Sequence, residues 1–303
     1  MKRGGIVYHQ GRFVTWDKAT VHVMSHSFGR GSAIFEVIGF HSNPAGRFVF
    51  RLDDHIRRLF KTAELLGMRL PEGRKGIRDA VLETVRRNPG RKGYIKIVAY
   101  YPQVSFEVLP PKGRLDLSIF VLPVRGGQEE MLQKRGISAC VSKWNRLDPR
   151  TVPIEAKAAG QYLNGMLARQ DAQGRGFGYA ILPDTQGFVA EGSTESVFIV
   201  RDGRLMTACL GTVLDSITRK SLLELAEAEG IATYEGRIPV SLLDEADEIF
   251  FSSTPIKLLP VRRCGQRVLS GVPGTITKRL MNCVEEILQG RDRRFSSWMA
   301  AVD

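Results

Sequence analysis

Lys157 and Glu191 are the two residues of this chain whose types and settings could do chemistry together. Lys157 stands among Ala156, Ala158, Ala159 and Gly160, with Glu155 as its one neighbouring carboxylate. Small neighbours leave room for a bulky group to reach the amine, and a lysine withdrawn from water can carry a Schiff base. Glu191-Gly192-Ser193 sets a carboxylate on flexible backbone further along. Such a carboxylate can keep a ring nitrogen protonated, which turns the ring into an electron sink. Taken alone, the pair is also what a surface lysine and a turn glutamate look like, because structural ion pairs are common.

The elements that must position these residues follow from the pattern around them. After Lys157 comes a helical pattern with Tyr162, Leu163, Met166 and Leu167 on one side, broken by Gly174, Gly176 and Gly178. Two β-like runs, 179–182 and 188–190, are joined by a turn over 183–187. Glu191 then precedes a strand at 197–200.

Earlier in the chain, 6–8 and 13–16 flank Gly11 as a hairpin. Val21 and Val23 alternate with His22 as in a half-buried strand, Gly29 and Gly31 bracket Arg30 in a loop, and 34–40 is apolar enough for a buried strand. A strand at 48–50 runs into Arg51. The helix that follows puts Leu52, Ile56, Leu59, Phe60, Ala63 and Leu66 on one face, with Asp53 or Asp54 to cap it and Gly67 to end it. A helix over 77–85 leads to a strand over 93–101, where Tyr94 and Lys96 share a face. A strand at 115–122 ends the first half, and 123–127 leads out of it.

The second half opens with a strand at 137–141 and turns at Asp202-Gly203. The segment 211–219 leads into a helix from Ser221, and its free backbone N–H groups suit an anion. A strand over 246–251 runs into Ser252-Ser253-Thr254-Pro255-Ile256. This order predicts a two-domain α/β (α+β) protein, with a small domain over 1–123, a linker over 124–135 and a larger domain over 136–303.

Composition narrows the function classes. At 303 residues, 43% hydrophobic and 25% charged, the chain has the make-up of a globular protein with a full core. Its net charge of +12, from 44 Lys+Arg against 32 Asp+Glu, admits anionic partners. The basic residues are scattered in short clusters such as Arg86-Arg87 and Arg262-Arg263, without a long basic tract or a basic–aromatic ladder, so no nucleic-acid partner is expected. Cys140, Cys209, Cys264 and Cys283 lie far apart, and all five histidines fall in the first 55 residues. That spacing predicts no metal site and free thiols, as in the cytoplasm. No apolar run reaches the length of a signal peptide or a membrane span.

The words AKAAGQYLNGMLA around Lys157 and GFVAEGSTESVFIV around Glu191 resemble the fold-type IV pyridoxal phosphate (PLP) aminotransferases, and within them the branched-chain amino acid aminotransferases. The likeness runs from about Val21 to Trp298 and includes Trp144-Asn145-Arg146 and the closing RDRRFSSWM. It implies a small N-terminal α/β domain and a larger pseudobarrel domain, with PLP in the cleft of a homodimer. Lys157 would be the catalytic Schiff-base lysine, Tyr162 the partner of the cofactor's phenolic oxygen, and Glu191 the partner of its ring nitrogen. Arg51, Thr254 and the amides of Ile217 and Thr218 would hold the phosphate, with Ser216 where the family usually has glycine. The substrate side would be formed by Phe35, Tyr94, Lys96, Arg30, Pro255 and Ile256. Three of these depart from the branched-chain pattern: Arg30 replaces a tyrosine, Lys96 an arginine, and Pro255 has no N–H to donate.

The activity so implied is transfer of an amino group from a branched-chain L-amino acid to a 2-oxo acid, 2-oxoglutarate. A D-amino acid aminotransferase is the alternative that Arg30 and Pro255 favour. Aminodeoxychorismate lyase would use the same lysine for elimination, and a basic nucleic-acid-binding protein rests on the net charge alone.

Overall fold

The structure, a computed structural model, describes residues 5–111, 113–124, 127–254 and 257–302. The chain forms two compact units. The first comprises Met1–Val124, Ala156–Gly160 and Ile287–Asp303, the second Arg125–Glu155 and Gln161–Glu286. The short segment around Lys157 and the end of the chain thus belong with the N-terminal unit.

Strands β1 (Ile6–His9), β2 (Arg12–Thr15), β3 (Ile34–Asn43), β4 (Gly46–Phe50), β5 (Gly93–Tyr100), β6 (Asp116–Pro123) and the C-terminal β16 (Met299–Ala301) build the first sheet. Its order is β16-β4-β3-β5-β6-β1-β2, antiparallel throughout. Helices α1 (His26–Arg30), α2 (Leu52–Leu65) and α3 (Arg74–Arg86) belong to this unit. Ile95, Ile97 and Ala99 point into the core while Tyr94, Lys96 and Val98 face the other way, the period-two pattern of a sheet with one packed side. Ile56, Leu59 and Ala63 of α2 and Ile77, Val81 and Val85 of α3, three and four residues apart, fill that side.

Four expectations need correction here. Val21 and Val23 form no strand: Ser25 N–H bonds His22 C=O and Met24 N–H bonds the His22 ring, so the segment turns and leaves both valines exposed. Arg30 lies in the last turn of α1 rather than in a loop, and Gly31 closes that helix at φ 66°, a left-handed value that glycine adopts without strain. Neither Asp53 nor Asp54 is the residue at the N-cap of α2; Arg51 holds that position, in the left-handed region at φ 47°. Where a linker is expected over 124–135, helix α4 occupies Gln128–Arg135, and Arg125 and Gly126 lie outside the described residues.

The second unit contains β7 (Ile137–Val141), β8 (Tyr179–Pro183), β9 (Val189–Gly192), β10 (Ser196–Arg201), β11 (Arg204–Ala208), β12 (Thr233–Gly236), β13 (Glu248–Ser253), β14 (Lys257–Cys264) and β15 (Arg267–Val268). The order β10-β13-β14-β7-β8-β9 is closed by pairing of β9 with β10, giving a six-stranded barrel with β11 and β12 continuing from β10. Ile137, Ile181, Val197, Ile199, Phe251 and Leu259 belong to one core cluster. Helices α5 (Tyr162–Gly174), α6 (Ile217–Ala228) and α7 (Thr275–Leu288) complete the set. The sheet is mixed, so the protein is α/β in content with an antiparallel first unit.

Two further corrections concern these helices. The packed side of α5 carries its smallest residues, Gly165, Ala168 and Ala172, whereas Leu163 and Met166 are exposed. The helix lies so close to the loop after β9 that a Cβ on Gly165 would run into the carbonyl oxygen of Ser193. Helix α6 begins at Ile217, four residues before the expected start, because Ser216 caps it. Among the described residues no helix is long and apolar enough to cross a membrane.

Candidate active site

In the first unit, 156–160 runs beside the chain entering β3. Lys157 C=O accepts from Phe35 N–H at 3.1 Å, Ala159 N–H donates to Ala33 C=O at 2.8 Å, and Ala158 bridges Ile34. From α2, Thr62 accepts the Lys157 N–H on its hydroxyl at 3.1 Å. Both backbone groups of Lys157 are therefore fixed, and its side chain is buried, 9% exposed. The amine lies 4.8 Å from the centre of the Phe35 ring. Lys96 brings a second amine to 5.4 Å from the same ring, with Tyr94 on the same face of β5. A cation over a ring face is attracted by the ring's quadrupole. The structure thus gathers Lys157 and Lys96 around the one aromatic side chain of Phe35.

Beneath them, on the core side of β3, Glu36 is fully buried. It accepts from Arg58 Nε at 2.7 Å and Nη2 at 2.6 Å, and pairs with His55 Nδ1 at 2.8 Å. Burial pushes the Glu36 carboxyl up, but the charge and hydrogen bonds of Arg58, joined by His55, outweigh it and hold the group at about 2. Burial pushes His55 below its ordinary value against the pull of Glu36. No local sequence pattern joins these three residues. Their one signal is a glutamate inside the apolar run IFEVIGF, since a charge in such a place must be paired.

Arg51 lies where β4 passes into α2 and is 6% exposed. Its Nε donates to Asp54 at 2.6 Å, and its guanidinium carbon is 4.4 Å from the centre of the Trp298 ring. Arg30, by contrast, is exposed: its Nη2 donates to Phe106 C=O at 2.7 Å and its Nε more weakly to Glu107 C=O at 3.4 Å.

In the second unit, Glu191 sits on β9. One of its carboxylate oxygens pairs with Arg146, and the other accepts from Leu214 N–H at 3.4 Å. Arg146 is buried and its own N–H bonds Pro183 C=O. In the sequence Arg146 shows only as the third residue of the Trp-Asn-Arg word. Leu214 opens the segment that feeds α6, where Ser216 Oγ accepts from Arg219 N–H at 3.2 Å. Helix geometry gives Ile217 and Thr218, both buried, no intrahelical acceptor for their amides. Arg219 reaches back to Ala208 C=O at 2.7 Å and to Glu235, tying this end of the helix to β11 and β12. Tyr162 is the first residue of α5 and half-buried, and half-buried Thr254 follows β13. Pro255 and Ile256 lie outside the described residues.

Residues 33–264 match the family model of amino-transferase class IV. A branched-chain-amino-acid aminotransferase of Escherichia coli is 32% identical over 305 aligned residues, covering 100% of this chain and 99% of that protein. Among solved structures, the branched-chain aminotransferase of Thermoproteus uzoniensis with norvaline superposes with a TM-score of 0.92 at 35% identity, covering 99% of this chain and all of that one. The branched-chain amino acid aminotransferase of Thermobaculum terrenum in its PLP form gives 0.93 at 30% identity, covering both chains fully. With a match that spans both folded units and takes in Lys157 and Glu191, the chain belongs to the amino-transferase class IV family.

Proposed function

We propose that this chain is a PLP-dependent aminotransferase that moves the amino group of a branched-chain L-amino acid to 2-oxoglutarate. The observation that carries the reading is Lys157, buried, fixed through both backbone groups and set with its amine against Phe35, in a chain similar end to end to branched-chain enzymes. The donor set fits the cofactor: one amine for an aldehyde, one carboxylate for a pyridine nitrogen, and a guanidinium and two helix-terminal amides for a phosphate.

When bound, PLP supplies the electron sink that lets the Cα–H bond of an amino acid break. Lys157 would hold the cofactor through its side-chain amine and, once freed, would move the proton taken from the substrate Cα. Glu191 accepts the hydrogen bond of the ring nitrogen and keeps it protonated, while Arg146 fixes the carboxylate's orientation. Arg51, Thr254 and the amides of Ile217 and Thr218 take the phosphate, and Tyr162 takes the phenolic oxygen. On the substrate side, Tyr94 and Lys96 bind the α-carboxylate and Phe35 contacts the aliphatic chain, with Arg30 at the entrance. Pro255 and Ile256 belong to that same side. A homodimer in the cytoplasm is the state in which we place it. The D-amino acid alternative rests on Arg30 and Pro255; of these, Arg30 donates here to two loop carbonyls.

A half-reaction screen tests the proposal. PLP-loaded protein is mixed in turn with L-leucine, L-glutamate, D-alanine, D-glutamate and a simple (R)-amine, and loss of the lysine-linked cofactor band is followed. Conversion by L-leucine and L-glutamate is expected. Conversion by a D-amino acid or the amine alone overturns it.

A further inference from the structure

We infer that Trp298, the residue just before the C-terminal strand β16, is a positioning residue for the anion-binding guanidinium of Arg51. The inference rests on the reading of Arg51 as a phosphate ligand. Arg51 occupies the left-handed region at φ 47° without being glycine, a conformation that persists only where the surroundings over-determine it. Contacts on its backbone and its side chain do so, and two of them come from one residue. Arg51 N–H donates to Trp298 C=O at 2.6 Å. The indole ring lies against the guanidinium, 4.4 Å from its carbon. Asp54, one turn into α2, takes Nε at 2.6 Å; burial pushes its carboxyl up, but Arg51 and Arg57 outweigh that and hold it below its ordinary value.

The placement of Trp298 is itself built in. β16 pairs with β4 in the register Met299↔Phe50, Ala300↔Val49, Ala301↔Phe48, which sets Trp298 beside Arg51 at the point where β4 ends. The indole is wedged by Phe50, edge-on at 5.7 Å, and by Phe295 at 4.4 Å, and is 8% exposed. A guanidinium whose plane is set by a ring on its face and a carboxylate on Nε loses little freedom when a phosphate arrives, so its affinity for the anion is raised without a new contact to it. Removing the ring leaves the charge in place and frees its orientation. The pairing of β16 with β4 is, on this account, what brings Trp298 to the anion site.

The test compares the apo forms of wild type, Arg51→Ala, Trp298→Ala and Trp298→Phe, each titrated with PLP and with pyridoxal, which lacks the phosphate. Thermal unfolding of each apo protein runs alongside. Arg51→Ala is expected to weaken PLP about a hundredfold and pyridoxal hardly at all; if the PLP-to-pyridoxal ratio stays put, the reading of Arg51 fails and the inference with it. Given that arm, Trp298→Ala is expected to weaken PLP about tenfold with pyridoxal unchanged, and Trp298→Phe, which keeps a ring on the guanidinium, to recover most of the loss. Equal weakening of both ligands, or of neither, overturns the positioning role and leaves Trp298 as packing. If the alanine variant does not fold, the phenylalanine variant decides: a selective loss of PLP affinity of two- to threefold supports the inference, and no selective loss overturns it.

Discussion

Lys157 and Arg30 are basic residues of the same folded unit, joined through a backbone bond from Gly160 N–H to Gly31 C=O, yet their surroundings are opposite. Lys157 is buried, bonded through both backbone groups and backed by the Glu36–Arg58–His55 network on the other side of β3. Arg30 is exposed on a five-residue helix, bonded to a loop whose Phe106, Val108 and Leu109 are each more than three-quarters exposed, with Phe28 nearly as open. A proton carrier needs a fixed starting point, since misplacement by a fraction of an ångström is expensive in rate. A residue that greets substrate tolerates, and uses, a loosely held segment. On the proposed reading, chemistry belongs to the first region and selection to the second, a contrast that experiment can break.

The largest expected effect is that of Lys157→Ala, which should remove nearly all transamination, a loss on the order of the ~10⁶ seen when a catalytic nucleophile is deleted. Borohydride reduction and peptide mapping of the wild type should find the cofactor on Lys157. Mapping to Lys96, whose amine approaches the same ring, would reverse the assignment of the two lysines. Next is Glu191→Gln, expected to bind PLP yet turn over roughly 10²–10³ times more slowly, the scale of losing one preorganised electrostatic partner. Near-normal single-turnover rates in stopped flow would remove Glu191 from the proposal.

The contrast between the two regions also marks what the sequence could reveal. The apolar run of β3, the shared face of Tyr94 and Lys96 on β5 and the spacing of apolar residues in α2 report the sheet and its helical cover, because each such pattern follows from its own element's geometry. The lysine and glutamate stood out by residue type and neighbours. Val21 and Val23 misled because alternation shows that a strand could be half-buried, not that a partner strand exists. Leu163 and Met166 misled because close approach at Gly165 decides which side of α5 packs, and that approach depends on the Ser193 loop. Arg146 beside Glu191, and Trp298 beside Arg51, join residues tens to hundreds apart through register, which no local pattern records.

A third prediction strikes the network behind Lys157. Glu36→Gln leaves the Arg58 charge buried without its carboxylate, a loss of about 3 kcal/mol or more at neutral pH. The pH dependence has a definite sign. In the folded protein the carboxyl sits at about 2 against an ordinary value of 4.5, so the stability it contributes is complete above 4.5 and vanishes as pH falls toward 2. His55, lowered by burial, drains stability in the same direction from about its ordinary 6.5 downward. Urea unfolding should show the gap between wild type and variant widest near neutrality and nearly closed only as the pH reaches about 2. A gap independent of pH would mean that Glu36 acts through its shape and not its charge.

The smallest effect is expected from Arg30→Ala. The guanidinium is exposed, so solvent screens whatever anion it meets, and its hydrogen bonds go to two backbone carbonyls that water can serve as well. A substrate carboxylate taken at this position is worth about 1.5 kcal/mol, the low end for a charge-assisted contact. KM for L-leucine and for 2-oxoglutarate should therefore rise about tenfold while kcat, the spectrum of the lysine-linked cofactor and the unfolding midpoint hold. Steady-state kinetics with both substrates, run beside a thermal melt, separate three cases. A rise in KM alone places Arg30 at the entrance for carboxylates. A fall in kcat with KM unchanged would put it among the groups that act on the reacting atoms, which erases the contrast with Lys157. A lowered melting point with unchanged kinetics would mean that the arginine serves only to tether the segment around Phe106 and Glu107.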